Sequence, residues 1–81
     1  SLKFDLALSP LGVPYLFYRN ETNFPTVVSL DKDTQDWTAP LVLEANEADD
    51  LYLGFAPDGK AYLAYTKSRR IFSYKYDAPG Q

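Results

Sequence analysis

Apolar residues occur along the chain in short alternating runs that are separated by polar residues and by Pro and Gly. In residues 4–9, Phe4, Leu6 and Leu8 alternate with Asp5 and Ala7, and this period of two is typical of a β-strand. Runs rich in β-branched and aromatic residues predict further strands at residues 15–19, 26–30, 41–43, 51–56, 61–66 and 70–76. No stretch of ten or more residues has a helical period of apolar positions. The pattern therefore predicts an all-β chain.

The stretch from Leu6 to Tyr18 returns 47 positions later, from Leu53 to Tyr65. Each copy predicts a strand, a tight turn and a second strand. The aligned pairs are Pro10 with Pro57, Gly12 with Gly59, Tyr15 with Tyr62, Leu16 with Leu63 and Tyr18 with Tyr65. Gly12 and Gly59 are predicted turn residues, because glycine adopts a positive φ without steric cost. An internal repeat of this length indicates an architecture built from repeated units.

The repeat divides the chain into two units, residues 1–46 and residues 47–81. The first unit has four predicted strands and the second has three, so the second lacks an outer strand. The third strands align at an offset of 44, which puts Val27 on Ile71 and Ser29 on Ser73. This smaller offset predicts a second hairpin loop that is three residues shorter, a change that loops tolerate.

Several predicted strands are apolar on both faces. The run from Tyr15 to Tyr18 has no polar position, and the runs 51–55 and 61–65 are similar. Neighbouring side chains on a strand point to opposite faces, so both faces of these sheets require burial. An isolated sandwich buries only its inner faces. A radial stack, in which each sheet lies between two others, satisfies the pattern. Two units cannot close such a stack, so we expect further copies of the chain or the remainder of a longer chain to complete it.

The motif Leu-Ala-Leu-Ser-Pro-x-Gly-x-Pro-Tyr-x-x-Tyr, followed by Val-Val-Ser-Leu-Asp and a Trp, resembles the blade repeat of secreted and periplasmic β-propellers. The resemblance implies two consecutive four-stranded antiparallel propeller blades, the second without its outer strand. It also implies a secreted or periplasmic location. It does not imply one function, since propellers include enzymes, lectins and scaffolds.

The segment from Ser29 to Trp37 resembles the Asp-box of sialidase-type propellers, with one extra residue and with Asp33 where a Gly is expected. In that family the Asp-box is a structural turn, in which a carboxylate accepts hydrogen bonds from turn amides and the Trp packs on the sheet. The resemblance therefore assigns Ser29, Asp31 and Asp33 to a structural turn. In the second unit it assigns Ser73 and Asp77 to the equivalent turn, with Lys75 in place of Asp31.

Composition excludes several kinds of site. The chain contains no His and no Cys, so the most common metal ligands and the usual general base at neutral pH are absent. The formal charge of −3 does not favour nucleic acid as a partner. No apolar run is long enough for a membrane helix. Asp31, Asp33 and Asp36 lack the Gly and the terminal Glu of an EF-hand loop, so we predict neither a metal nor a cofactor.

Catalysis by this chain alone has little support. Sialidase-like chemistry needs three clustered arginines and a Tyr activated by a Glu, whereas only Arg19, Arg69 and Arg70 are present and two of them are adjacent. A pairing of Tyr18 or Tyr65 with Glu21 or Glu47 is conceivable. Core tyrosines are the more common use of such positions.

The candidate ligand-binding residues are aromatic or cationic side chains near predicted strand ends: Trp37, Tyr18, Tyr65 and Arg19. Aromatic rings could stack on sugars, although blade core is the more frequent role of such residues. Asn20-Glu-Thr22 also fits a glycosylation sequon.

Three functional hypotheses remain open. The first is a non-catalytic propeller module that binds carbohydrate or a protein partner, or serves as a scaffold. The second is a piece of a sialidase-like glycoside hydrolase whose catalytic residues lie in other blades. The third is an immunoglobulin-like adhesion domain with seven strands.

Overall fold

The structure is a computed structural model, and it describes residues 3–77. Seven strands form two antiparallel sheets, and the described residues contain no helix. The strands are β1 (Phe4–Leu8), β2 (Pro14–Arg19), β3 (Pro25–Ser29), β4 (Leu41–Val42), β5 (Leu51–Phe55), β6 (Lys60–Lys67) and β7 (Arg70–Asp77). The first sheet has the order β1-β2-β3-β4 and the second has the order β5-β6-β7. These observations confirm the all-β prediction and the division into sheets of four and three strands.

The first hairpin of each sheet closes through the same kind of turn. Gly12 has φ of 83° and its amide donates to the Ser9 carbonyl, while Gly59 has φ of 92° and donates to the Ala56 carbonyl. The Ser9 amide donates to the Val13 carbonyl and the Ala56 amide to the Lys60 carbonyl, so three residues lie inside each closing pair. A glycine at positive φ is common in a hairpin loop of this length. In the first turn the Ser9 hydroxyl also accepts a hydrogen bond from the Val13 amide at 3.1 Å.

The second hairpins of the two sheets differ less in length than the sequence alignment predicts. Tyr15 pairs with Ser29, and its counterpart Tyr62 pairs with Lys75. The third strands therefore correspond at an offset of 46 positions rather than 44. The loop that joins β6 to β7 consists of Ser68 and Arg69, both at positive φ, and this tight turn lets both strands extend further than β2 and β3.

This longer pairing corrects the predicted turn at Ser73 and Asp77. Ser73 pairs with Ala64, and Asp77 pairs with Lys60 as the last residue of β7. Neither residue lies in a turn, because the backbone there stays hydrogen-bonded to β6.

The core lies between the two sheets. Tyr15, Phe17 and Val27 of the first sheet pack against Leu63 and Tyr65 of the second. The rings of Tyr15 and Phe55 meet edge to face at 5.0 Å between centroids. β5 approaches β1, and the Asp5 carboxylate accepts a hydrogen bond from the Leu53 amide at 2.8 Å. The link between the sheets is fixed by the Arg19 guanidinium, which donates to the Ala48 carbonyl at 3.0 Å.

The two sheets stack with corresponding faces pointing in the same direction, so they do not pack through equivalent faces. The inner face of the first sheet carries Tyr15 and Phe17, whose repeat counterparts Tyr62 and Ala64 lie on the outer face of the second sheet. Conversely, the inner face of the second sheet carries Leu51, Leu53 and Phe55. Their counterparts are Phe4, Leu6 and Leu8, on the outer face of the first sheet. The internal junction is therefore formed by two different faces of the same repeated unit.

The topology differs from that of an immunoglobulin-like sandwich. Strands that are consecutive in sequence are neighbours within each sheet, and no strand crosses from one sheet to the other. An immunoglobulin fold needs Greek-key connections between its sheets, and the described strands have none. Within residues 3–77 there is also no helix that could cross a membrane.

Candidate functional site

The outer face of the first sheet presents large apolar side chains along β1. Phe4, Leu6 and Leu8 are exposed by 62%, 57% and 63%. They pair with Tyr18, Leu16 and Pro14 of β2, which lie half-buried beside them. We call this surface the first outer face. A contiguous apolar surface of this kind is uncommon on a monomeric protein and is typical of an interaction site.

The outer face of the second sheet forms a shallow groove with a cavity volume of about 510 Å³. We call it the second outer face. It is lined by Tyr52, Gly54, Tyr62, Ala64, Ser73 and Lys75. Gly54 and Ala64 form the floor because they carry little or no side chain. Tyr52 and Tyr62 are about half-exposed and rise on either side of it.

Among residues 3–77, Gly54 has no steric reason to be a glycine. A Cβ added there would meet no atom within 4 Å, and its φ is not in the left-handed region. Glycine in the interior of a strand weakens that strand and often marks a place where another backbone approaches closely. Its repeat counterpart, Ala7, lies in β1 at the place where β5 packs on the first sheet.

The predicted ligand-binding residues do not come together. Tyr65 is 0% exposed and stacks on Phe72, with ring centroids 5.1 Å apart. β6 turns this side chain into the core between the sheets, away from both outer faces. Tyr18 lies half-buried on the first outer face, paired with Phe4.

Trp37 and Arg19 lie near opposite ends of the first sheet. Trp37 is 49% exposed and forms an isolated antiparallel β-bridge with Leu30. The Leu30 amide donates a hydrogen bond to the Pro14 carbonyl at the start of β2. Arg19 is the last residue of β2, and its guanidinium binds the Ala48 carbonyl. A strand of this length spans roughly 17 Å, so the two side chains do not share one ligand site along β2.

The Asp-box-like segment forms a closed turn. Asp31 Oδ1 accepts hydrogen bonds from the amides of Asp33 at 2.8 Å and Thr34 at 3.3 Å. The Thr38 amide donates to the Ser29 carbonyl at 2.8 Å, which holds the two arms of the turn together. Among the described residues, no three acidic side chains lie close enough to share a metal ion.

Among the described residues, one titratable group near the core has a shifted pKa. Burial raises the pKa of the Tyr74 phenol above its ordinary value, and the neighbouring Glu44 carboxylate and Tyr65 hydroxyl act in the same direction. The phenol stays protonated at neutral pH. An activated tyrosine nucleophile needs the opposite shift, so this tyrosine does not fit that role.

Of the residues on the two outer faces, only Tyr18 was predicted from the sequence as a candidate ligand-binding residue, and Ser73 was assigned to a turn. Two signals were available to find the others. Alternation places Phe4, Leu6 and Leu8 on one face of β1. The repeat alignment then equates these residues with Leu51, Leu53 and Phe55, which the second sheet buries.

Comparison with known proteins gives no relative for this chain. No family model matches its sequence, and neither a search of curated proteins nor a search of solved structures returns a significant match.

Proposed function

We propose that the chain is a non-catalytic interaction module whose two outer faces bind further β-sheets of the same repeated kind, as blades do in a propeller. The observation that carries this proposal is that the internal junction joins two different faces of the repeated unit. The surface that the second sheet buries against the first has a counterpart that remains exposed along β1. A repeated unit that buries only part of its apolar surface is completed by neighbours on both sides.

A protein partner fits these surfaces better than a carbohydrate. The exposed part of the first outer face consists of Phe4, Leu6 and Leu8, which offer no hydrogen-bonding groups. A small-molecule site combines an apolar surface with convergent polar groups that fix orientation. The second outer face offers polar groups on Ser73, Lys75 and two tyrosines. These groups line an open groove rather than an enclosed pocket that would fix the orientation of a small molecule.

The propeller resemblance supplies the wider context of this proposal. The partner sheets would be other propeller blades, and the assembly would be secreted or periplasmic. A sialidase-like hydrolase would contain catalytic residues in those other blades, and this pair of sheets would then serve as part of its scaffold.

Charge substitution on the first outer face tests the proposal. Leu6→Lys should leave the fold intact, because Leu6 is 57% exposed, and should abolish self-association or capture of a partner sheet. Leu11→Lys is the matched control, since Leu11 is 55% exposed but lies in the turn after β1. Sedimentation velocity measures association, and a thermal melt checks the fold. Equal association of both variants and the unmodified protein would contradict the proposal.

Carbohydrate binding is the competing outcome. A panel of mono- and oligosaccharides can be titrated while the amide and tyrosine resonances of the protein are followed by NMR. Saturable shifts confined to Tyr52 and Tyr62, in a protein that stays monomeric, would replace the proposed function with sugar recognition. The proposal predicts no saturable shift with any member of the panel.

A further inference from the structure

We propose that a second copy of this chain is the partner, and that it docks head to tail. The first outer face of one copy, formed by Phe4, Leu6 and Leu8, would lie in the groove of the second outer face of the next copy. This inference rests on the proposed function and specifies its partner and its pairing of faces.

The internal junction serves as the template for this contact. There, β5 packs on β1, and the rings of Phe55 and Tyr15 meet edge to face at 5.0 Å between centroids. In the repeat, Leu8 is the counterpart of Phe55 and Tyr62 is the counterpart of Tyr15. Both Leu8 and Tyr62 are exposed. The same geometry between two copies therefore places Leu8 of one copy against Tyr62 of the next.

The two outer faces are complementary in shape. The first carries bulky side chains in a row along β1. The second carries a groove whose floor is formed by Gly54 and Ala64, with open space above Gly54. At the internal junction the position of Gly54 is taken by Ala7, another small residue, in the strand on which β5 packs. A glycine that weakens its own strand, without a described residue close enough to require it, is explained by the approach of a strand from another copy.

One contact of the template is not reproduced. At the internal junction the Asp5 carboxylate accepts a hydrogen bond from the Leu53 amide. The residue at the equivalent position of the second sheet is Tyr52, which has no carboxylate. The contact between copies therefore depends on apolar packing more than the internal junction does.

The pairing is heterologous, because it joins two different surfaces. A two-fold dimer would place a surface against itself. Such a dimer through the first outer face would place bulky residues of one copy against bulky residues of the other, namely Phe4, Leu6 and Leu8. The groove of the second outer face would remain empty. Head-to-tail contact occupies both surfaces at once and can continue from copy to copy.

Site-specific cross-linking tests the pairing. The chain has no Cys, so Leu8→Cys and Tyr62→Cys each introduce one thiol at an exposed position. The two variants are mixed and treated with a short bismaleimide. We expect the mixed Leu8→Cys/Tyr62→Cys product to form at least about tenfold faster than the product of Leu11→Cys with Tyr62→Cys, because docking raises the effective concentration of the paired thiols. Thermal melts verify that each variant is folded.

The outcomes separate this inference from the function on which it rests. If the protein associates but Leu8→Cys cross-links to itself faster than to Tyr62→Cys, the head-to-tail pairing is wrong and the interaction module stands. Equal rates for the Leu8→Cys and Leu11→Cys mixtures, in a protein that associates, would also overturn the pairing. If the unmodified protein remains monomeric at every concentration, the head-to-tail pairing is wrong. If it also captures no partner sheet, the interaction module fails as well.

Discussion

Gly54 is the residue at which the isolated chain favours a larger side chain, whereas the proposed assembly favours glycine. No neighbouring atom of the described residues lies within 4 Å of the position of its missing Cβ, and its φ is not in the left-handed region. Glycine in the interior of a strand costs about 0.5–1 kcal/mol relative to alanine. The position would therefore be more stable with a larger side chain if nothing docked on it.

We expect Gly54→Val to stabilise the dilute monomer by about 0.5–1 kcal/mol, since valine favours strand conformation, and to weaken association by filling the groove. Urea denaturation and sedimentation velocity measure the two effects. Gly12→Val is the control, because Gly12 has φ of 83°. That substitution should destabilise the chain by about 1–2 kcal/mol. Unchanged association of Gly54→Val would show that the groove is not a docking surface.

Tyr74 gives the chain a pH dependence at the alkaline end. Its pKa is raised in the folded state, chiefly by burial, above the value of about 10 for a free phenol. The protonated phenol therefore contributes stability that is fully present below about pH 10 and is lost as the pH rises through the folded-state pKa.

We expect the free energy of unfolding of Tyr74→Phe to fall less above about pH 10 than that of the unmodified protein. Denaturant titrations at several pH values measure this slope. Tyr52→Phe removes a phenol from the second outer face and serves as the matched control. If Tyr74→Phe and the unmodified protein lose stability in parallel, the assigned shift is wrong.

At the scale of elements, the contact between β1 and β5 depends on one hydrogen bond as well as on packing. β5 is an edge strand of the second sheet, and its Leu53 amide donates to the half-buried Asp5 carboxylate at 2.8 Å. A side chain that occupies an outward-facing amide protects the edge from other strands.

Asp5→Ala should lower the free energy of unfolding by about 1–2 kcal/mol, because it leaves the Leu53 amide without its partner. Asp36→Ala makes the same change of charge at an exposed loop position and should alter stability by less than about 0.5 kcal/mol. Urea denaturation of dilute protein compares the two. Similar losses for both variants would mean that the effect is one of net charge rather than of this hydrogen bond.

The strands were predictable because period and turn residues are local properties. Alternation places Phe4, Leu6 and Leu8 on one face of β1, and Gly12 and Gly59 mark the turns where the chain reverses. The position of β7 was not predictable in the same way. The shared pattern of Ser29 and Ser73 favoured a shorter loop, but the two-residue turn at Ser68 and Arg69 selects a different register. Register depends on turn geometry, which short sequence similarities do not specify.

At the scale of the whole molecule, the sequence indicated that both faces of the sheets require burial, but not which residues remain open. Tyr65 and its repeat counterpart Tyr18 have similar sequence surroundings. One is sealed between the sheets, while the other lies on an outer face. That difference arises from the order in which the two units stack, which is a property of tertiary structure. It also moves the candidate site from the tyrosines near strand ends to the two outer faces.

Light scattering on a size-exclusion column, over a wide range of protein concentration, tests the central claim most directly. The account predicts particles heavier than the 9.2 kDa chain, with masses at integer multiples of it, that return to the single-chain mass in Leu6→Lys. A folded protein that elutes at the mass of one chain at every concentration would contradict it, because both outer faces would then remain in water without a partner.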